Sequence, residues 1–510
     1  MDIGRMLTWT ADRYPHRRAV GGPRPLAYRQ WDARTNQLAR ALAGLGVEPG
    51  DRVAFLLAGG EPMASLHLSV QKVGAASVPL SIRFGPAELE HCLKDAEPTL
   101  VIGDDSTAAS LTAALGQDPL HLTALHERSE REPDRELESN TNPEDLSVIL
   151  YTSGTTGRPK GVPRTHRAEH AAAVAHVIQT QQRPGEVSLG VMPLFHTMGV
   201  RTLLASIAVG GTWVPQARFD PDESLHLIKD DHISALYLVP TIYWSLLRSG
   251  GLQASTVSRV AYAGAPMTPA LAEELTGTLH PEVFVNHFGS TEIYTFTTSS
   301  DRKTPKDHHK PGCAGRAGVF SRVRLVDPLD PAITVPKGTA GQVAVSMASP
   351  EAFAGYRNRP DADARAIRDG WYLTGDLATE DSDGDLWVSG RVDDMINSGG
   401  ENLYPDEIEG ALAGCPAVSA VVVVGLPDER WGQAVTAFVV PATDYSPERA
   451  VAHLSAYAND SSGLASLKRP KRYVAVDRIP TSAVGKILRR ELTEGRYRPL
   501  AEVPGETRRG

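Results

Sequence analysis

Cysteine is scarce in this chain. Three residues in 510, Cys92, Cys313 and Cys415, lie far apart and form no CxxC pair. That excludes a disulfide framework and predicts small buried hydrophobes in a reducing compartment. Long apolar runs are missing too: no stretch approaches the ~20 residues of a membrane span. The start, Met1-Asp2-Ile3-Gly4-Arg5, lacks the charged-then-apolar pattern of a signal peptide. A cytoplasmic protein is expected. Positive charge is not in excess, since the formal net charge is −9. A general nucleic-acid surface is therefore not expected, and a phosphate-rich ligand needs a local site.

What is present is ordinary globular material, 41% hydrophobic and 22% charged, long enough for at least two domains. Its most informative stretch runs from Tyr151 to Val162, Y-T-S-G-T-T-G-R-P-K-G-V, behind the apolar run Leu146–Leu150. Glycines let backbone N–H groups approach an anion, hydroxyls donate to phosphate oxygens, and Lys160 adds a point charge. The Walker A order G-x-x-x-x-G-K-[ST] is absent. A plain Ser/Thr/Gly surface loop is the competing reading, and it weakens as the motif lengthens.

Apolar periodicity predicts helices over 28–46, 63–73 and 166–177 and strands at 53–57, 76–80 and 100–102, with a strand and exit turn at 235–241 and a strand ending in a small-residue turn at 260–266. This alternation predicts an α/β fold with a largely parallel sheet, whose ligands collect beyond the strand carboxyl ends. The polar run 127–145 reads as an exposed connector. A composition shift after Asp393 marks a smaller α+β domain, with β-rich runs at 418–424 and 434–440, a helix near 447–458 and a tail that frays after Pro499. The expected division is a large domain of layered α/β subdomains, 1–392, and a small α+β one, 393–510. Ser398–Asn402 reads as a flexible loop, and Pro405 with Asp406, Glu407 and Glu409 as a helix start.

Further motifs punctuate the strands. His196, in Leu194-Phe195-His196-Thr197-Met198-Gly199, is either structural or a pocket wall. Gly264-Ala265-Pro266 is either a tight turn or a bed for a flat ligand. Phe288-Gly289-Ser290-Thr291-Glu292 delivers a carboxylate suited to Mg²⁺ if phosphates lie nearby, and otherwise a surface glutamate. His308 and His309 fall in a polar loop without a matching ligand cluster, and Asp381–Asp385 is a turn with no need of calcium.

Taken in order and spacing, the motifs at 151–162 and 288–292, Tyr372-Leu373-Thr374-Gly375-Asp376, Gly390-Arg391-Val392-Asp393-Asp394 and Gly485-Lys486-Ile487-Leu488 cover nearly the whole chain. It resembles the AMP-forming adenylating superfamily of acyl-CoA synthetases, non-ribosomal adenylation domains and luciferases. It is most similar to bacterial aryl-CoA ligases of the 4-chlorobenzoate-CoA ligase type. The resemblance implies ATP, Mg²⁺ and coenzyme A, a carboxylic acid substrate, and two half-reactions through an acyl-adenylate. It further implies that Thr152, Ser153, Gly154, Thr155, Thr156, Gly157 and Lys160 hold the β- and γ-phosphates, and that Glu292 helps bind Mg²⁺. Gly264, Ala265, Pro266, His287 and Phe288 border adenine, with Gly289, Ser290 and Thr291 completing that run. Asp376 meets the ribose hydroxyls with Arg391 nearby.

The resemblance also implies that Lys486, which read alone is a surface lysine, bridges carboxylate and α-phosphate, and that His196 stands between acyl pocket and thiol tunnel. Thr197, Tyr237, Thr241, Tyr262, Ala263, Gly264 and Ile293 are candidate pocket walls beside it. By the same resemblance, Asp393 is expected to be the hinge of a domain rotation that brings Gly399 and Gly400 to the thiol tunnel. Arg83, Trp431 and Arg469 are candidate contacts for the CoA nucleotide.

Phe288, Asn397 and Leu467 depart from the pattern, standing where relatives carry tyrosine, lysine and an aromatic residue; Leu467 weakens stacking at the CoA adenine. The expected activity is an acid–thiol ligase for a hydrophobic, aromatic or other cyclic acid. Its rivals are an adenylation enzyme that loads a carrier protein, an enzyme of one half-reaction and a non-catalytic nucleotide-binding regulator. A homodimer is the assembly considered.

Overall fold

In the computed structural model, residues 2–138, 141–152, 159–252, 256–299, 310, 312–398, 401–481 and 487–505 are described. The Leu146–Leu150 run lies in a strand, Leu146–Thr152. It sits in a six-stranded sheet ordered 120–121, 100–103, 52–56, 76–79, 146–152, 160–165. The first five strands are parallel, with Ser77 opposite Val148. The last, Lys160–Thr165, returns antiparallel and sets Thr152 opposite Lys160. The phosphate-loop candidate therefore lies beyond strand carboxyl ends, as expected. It spans a hairpin, however, so no helix N-terminus stands directly behind it. The following helix, His166–Gln179, starts only after the return strand and is capped by the Thr165 hydroxyl.

A second sheet has nine strands, ordered 316–317, 297–298, 283–288, 259–262, 235–238, 187–190, 212–215, 18–20, 26–27. Its middle six are parallel. Helices cover both faces. Successive residues Trp213 and Val214 enter different core clusters, as the period-two strand requires. The 127–145 segment is more than a connector. Its first residues finish the helix Leu122–Ser129. The carbonyls of Glu132, Asp134, Arg135 and Glu136 then accept hydrogen bonds from Gln37, Asn36 and Arg40 of the helix Tyr28–Ala43. The charged side chains face solvent while the backbone is strapped down, a pairing that composition alone does not show.

Two compact units emerge: 1–324 with 344–372 and 383–386, and 325–343 with 373–382 and 387–510. In the second, a six-stranded sheet is ordered 401–403, 396–398, 432–441, 472–476, 499–504, and strand 418–428 pairs with 432–441. The helix Pro405–Leu412 begins with proline at its first turn and with Asp406 and Glu407 on the dipole. The expected flexible loop at 398–402 is corrected: Ile396–Ser398 and Glu401–Leu403 pair antiparallel, Ser398 opposite Glu401. Gly399 and Gly400 lie outside the described residues. The frayed tail is corrected as well. Pro499–Pro504 pairs with Arg472–Val476, Tyr473 opposite Val503. Ala501 and Val503 pack on the core, and Glu502 bridges Arg472 at 2.7 Å. All three cysteines are free and buried, as expected.

Candidate active site

The parallel strands of the nine-stranded sheet deliver the candidate residues to one edge. Register places Leu238 beside Tyr262 and Tyr262 beside Asn286, so the segments after these strands emerge side by side. They carry Thr241, Ala263–Pro266 and His287–Glu292. Gly264 turns there with φ +84°, a conformation that favours glycine. His196 caps the helix Thr197–Ala208. A Cβ at Gly199 would lie 2.2 Å from the Pro193 carbonyl oxygen, so only glycine lets that turn close on itself. His196 is partly buried, and burial together with Arg83 pushes its pKa down to about 4, which keeps the ring neutral. Tyr237, Tyr262, Ala263 and Ile293 are buried, Thr197 is partly so, and Thr241 is exposed.

Glu292 is almost fully buried, and its Oε1 accepts a hydrogen bond from the Tyr356 hydroxyl at 2.5 Å. The same tyrosine ring lies under Lys160, with Nζ 4.3 Å from the centroid. Tyr356 thus ties the lysine closing the phosphate hairpin to the candidate metal carboxylate. Backbone bonds hold it there: Ala354 N–H to the Pro163 carbonyl, Arg357 N–H to the Gly161 carbonyl, and Phe353 N–H to the Glu292 carbonyl. Burial and the adjacent Glu292 charge raise the Tyr356 pKa, so it remains a donor.

Behind them, Arg164 is wholly buried. It pairs with equally buried Glu169 and donates to the carbonyls of Thr291, Glu292 and Glu351. Neither Tyr356 nor Arg164 stood out in the sequence. Tyr356 belongs to no motif, and an arginine beside a proline in a short strand reads as exposed. The Arg164–Glu169 spacing was the available signal.

His287 points away from its neighbour Phe288, as alternation along a strand demands, and is buried against His176 and Tyr237. Phe288 meets Phe296 edge to face instead. Ser290 and Thr291 are partly exposed beside Gly289.

In the second unit, Arg391 bridges Asp376 at 2.7 Å and donates to the Thr374 carbonyl at 3.0 Å. A Cβ at Gly375 would press the guanidinium at 2.7 Å, so the glycine admits Arg391. Exposed Asp393 lies 3.8 Å from the same arginine. Trp431 has Arg430 and Lys471 over its ring, 4.8 and 5.4 Å from the centroid. Arg469 is engaged with the Leu464 carbonyl and Asn459. Arg83 is exposed. Ser153, Gly154, Thr155, Thr156, Gly157, Lys486, His308 and His309 lie outside the described residues.

A buried carboxylate tied through Tyr356 to Lys160 and, in a separate unit, a held Asp–Arg pair fall on the nucleotide motifs of the sequence. The chain belongs to the AMP-binding enzyme family, which matches residues 7–357, and the AMP-binding enzyme C-terminal domain matches 407–486. A feruloyl-CoA synthase from Amycolatopsis sp is 35% identical over 94% of this chain and 96% of its own. A 4-chlorobenzoate–CoA ligase from Arthrobacter sp is 33% identical over 96% and 94%. The structure of o-succinylbenzoate coenzyme A synthetase from Bacillus subtilis, in complex with ATP and magnesium ion, superposes with a TM-score of 0.85. It is 27% identical and covers 96% of this chain and 98% of that one. ATP, Mg²⁺ and coenzyme A are the reactants and metal of this ligase class. Among the described residues, no helix is long and apolar enough to cross a membrane.

Proposed function

We propose that this enzyme activates an aromatic or other cyclic carboxylic acid and transfers it to coenzyme A. A carboxylate oxygen attacks the α-phosphorus of ATP, and the bond to pyrophosphate breaks. The thiolate of coenzyme A then attacks the acyl carbon, and the bond to AMP breaks. The observation that carries this reading is the Lys160–Tyr356–Glu292 unit. It sets a cation for departing pyrophosphate beside a buried carboxylate oriented by a donor, and a carboxylate suits a hard cation. Mg²⁺ bound there supplies neutralisation of phosphate charge.

Around that unit, the hydroxyls and glycines of 152–157 cradle the β- and γ-phosphates. Gly264–Pro266 and Phe288–Thr291 border adenine, and Asp376, oriented by Arg391, receives the ribose hydroxyls. Lys486 bridges carboxylate and α-phosphate. Tyr237, Tyr262, Ala263 and Ile293 give the acid a largely apolar wall, with neutral His196 and Thr197 at its mouth. Asp393, exposed and 3.8 Å from Arg391, is the hinge about which residues 393–510 turn between half-reactions, bringing Gly399 and Gly400 to the thiol. Trp431 between Arg430 and Lys471 suits a phosphorylated adenine nucleotide, which favours coenzyme A over a carrier protein.

A panel of carboxylic acids assayed for pyrophosphate release, then for acyl-CoA and for acylated carrier protein, tests the reading. Aromatic or cyclic acids are expected to give acyl-CoA; pyrophosphate release with product only on a carrier protein would sink the choice of acceptor. Tyr356→Phe is expected to raise the Mg²⁺ concentration for half-maximal pyrophosphate release by about tenfold, because loss of an outer-shell partner costs about 10–100-fold in metal affinity or activity. An unchanged Mg²⁺ titration would remove Tyr356 from that role.

A further inference from the structure

Below the apolar wall, the interior carries polar groups without a hydrogen-bond partner among the described residues. The helix His166–Gln179 sets His176 against the sheet. Its ring centroid is 4.6 Å from that of Tyr237 and 5.6 Å from that of His287, which is itself 5.4 Å from Tyr237. All three are buried. Among the described residues, neither nitrogen of either histidine has a hydrogen-bond partner. An unmet buried polar group costs about 1–3 kcal/mol, so four such nitrogens converging on one tyrosine call for an occupant.

Tyr237 and His176 also line a small cavity with Ser188 and Thr202. Thr202 lies on the helix that His196 caps, about 9 Å along its axis from that histidine at 1.5 Å per residue. That depth matches an aryl acid whose carboxylate sits at the mouth.

Charge decides what the occupant is. Arg201 is buried here; it donates to Gln179 and reaches the Tyr237 hydroxyl. Glu351 answers its charge, and Glu169 answers that of Arg164. Arg259, which lines the same cavity, pairs with buried Glu186, so three guanidiniums face three carboxylates, and a further buried carboxylate would be uncompensated. Burial and the Arg201 charge hold both imidazoles neutral. Each therefore offers one N–H and one lone pair. A hydroxyl, which donates and accepts, meets both; an ether or ketone only accepts, and a hydrocarbon meets neither.

We propose that the acid carries a neutral hydroxyl at the end remote from its carboxylate, received at the polar cluster of His176, His287 and Tyr237. This rests on Tyr237 being a wall of the acid site, as read above.

The test compares kcat/KM for acyl-CoA formation across matched acids that differ only in the remote substituent. Suitable sets are 4-hydroxycinnamate, cinnamate and 4-carboxycinnamate, and the corresponding benzoates and phenylacetates. In at least one set the hydroxy acid is expected to exceed both others by a hundredfold or more, since a site built to hydrogen-bond a hydroxyl rejects its absence by up to about 10⁴–10⁵. His176→Leu is expected to bring the hydroxy and unsubstituted acids within about threefold, with KM for ATP unchanged, and His176→Asn to restore part of the gap. If His176→Leu does not fold, the wild-type comparison and His176→Asn still decide. Equal kcat/KM for hydroxy and unsubstituted acids in every set, or preference for the dicarboxylates, overturns the inference and leaves the ligase reading intact. No pyrophosphate release with any acid overturns both.

Discussion

Lys486→Ala is expected to slow pyrophosphate release from acid and ATP by about 10²–10³-fold, the cost of removing one positioned electrostatic stabiliser. Thioester formation from a supplied acyl-adenylate is expected to proceed at the wild-type rate. The split follows from the proposed domain rotation. Flanking that lysine in sequence, Thr481 bridges Ile487 and the Leu488 N–H bonds the Pro480 carbonyl. One residue further on, Arg489 is clamped by Asp406 and Glu409 of the helix Pro405–Leu412, and by Asp394 at 3.5 Å. The domain rotation inferred for this enzyme carries the lysine away for the second step. Arg489→Ala, which keeps the lysine but frees its base, is expected to slow adenylation less. Stopped-flow measurement of both half-reactions checks this, and equal loss in the two steps would contradict the assigned role.

Arg164→Met is expected to lower stability by about 3–5 kcal/mol, the cost of leaving one member of a buried ion pair alone. Its partner Glu169 is wholly buried, and Arg164 also stacks 3.6 Å from the centre of the Tyr294 ring. Removing both charges in Arg164→Met/Glu169→Leu is expected to recover most of the loss, because the uncompensated carboxylate goes with it. Denaturant midpoints of the wild type, the two single variants and the double variant measure this. A single variant with the wild-type midpoint would show that the pair contributes nothing. Arg164 also donates to the carbonyls of Thr291 and Glu292, so the single variant is expected to lose adenylation activity even where it remains folded.

The parts legible in sequence are those whose partners are close in sequence or whose chemistry is dense. The hydroxyl and glycine run before Lys160, the carboxylate ending Phe288–Glu292 and the proline-led acidic start at Pro405 all announce themselves locally. Tyr356, Arg164 and the two interior histidines do not. Tyr356 acquires its role from Glu292, 64 residues away, and from Lys160. Arg164 reads as solvated until Glu169 and three remote carbonyls enclose it. His176 sits in an alanine-rich helix and resembles any core histidine until its unmet nitrogens are counted beside those of His287. The return strand Lys160–Thr165 is hidden by its own proline and arginine, which obscure the alternation of a strand.

The closing strand Pro499–Pro504 does more than extend a sheet. It occupies the open side of Arg472–Val476, whose residues Tyr473–Val476 are buried. Cutting the chain ahead of Pro499 would leave that strand with a row of unpaired backbone groups, a ready template for another chain. Chains shortened ahead of Pro499 would then be prone to self-association through that edge, and an affinity tag is better placed beyond Gly505 than in exchange for the last strand.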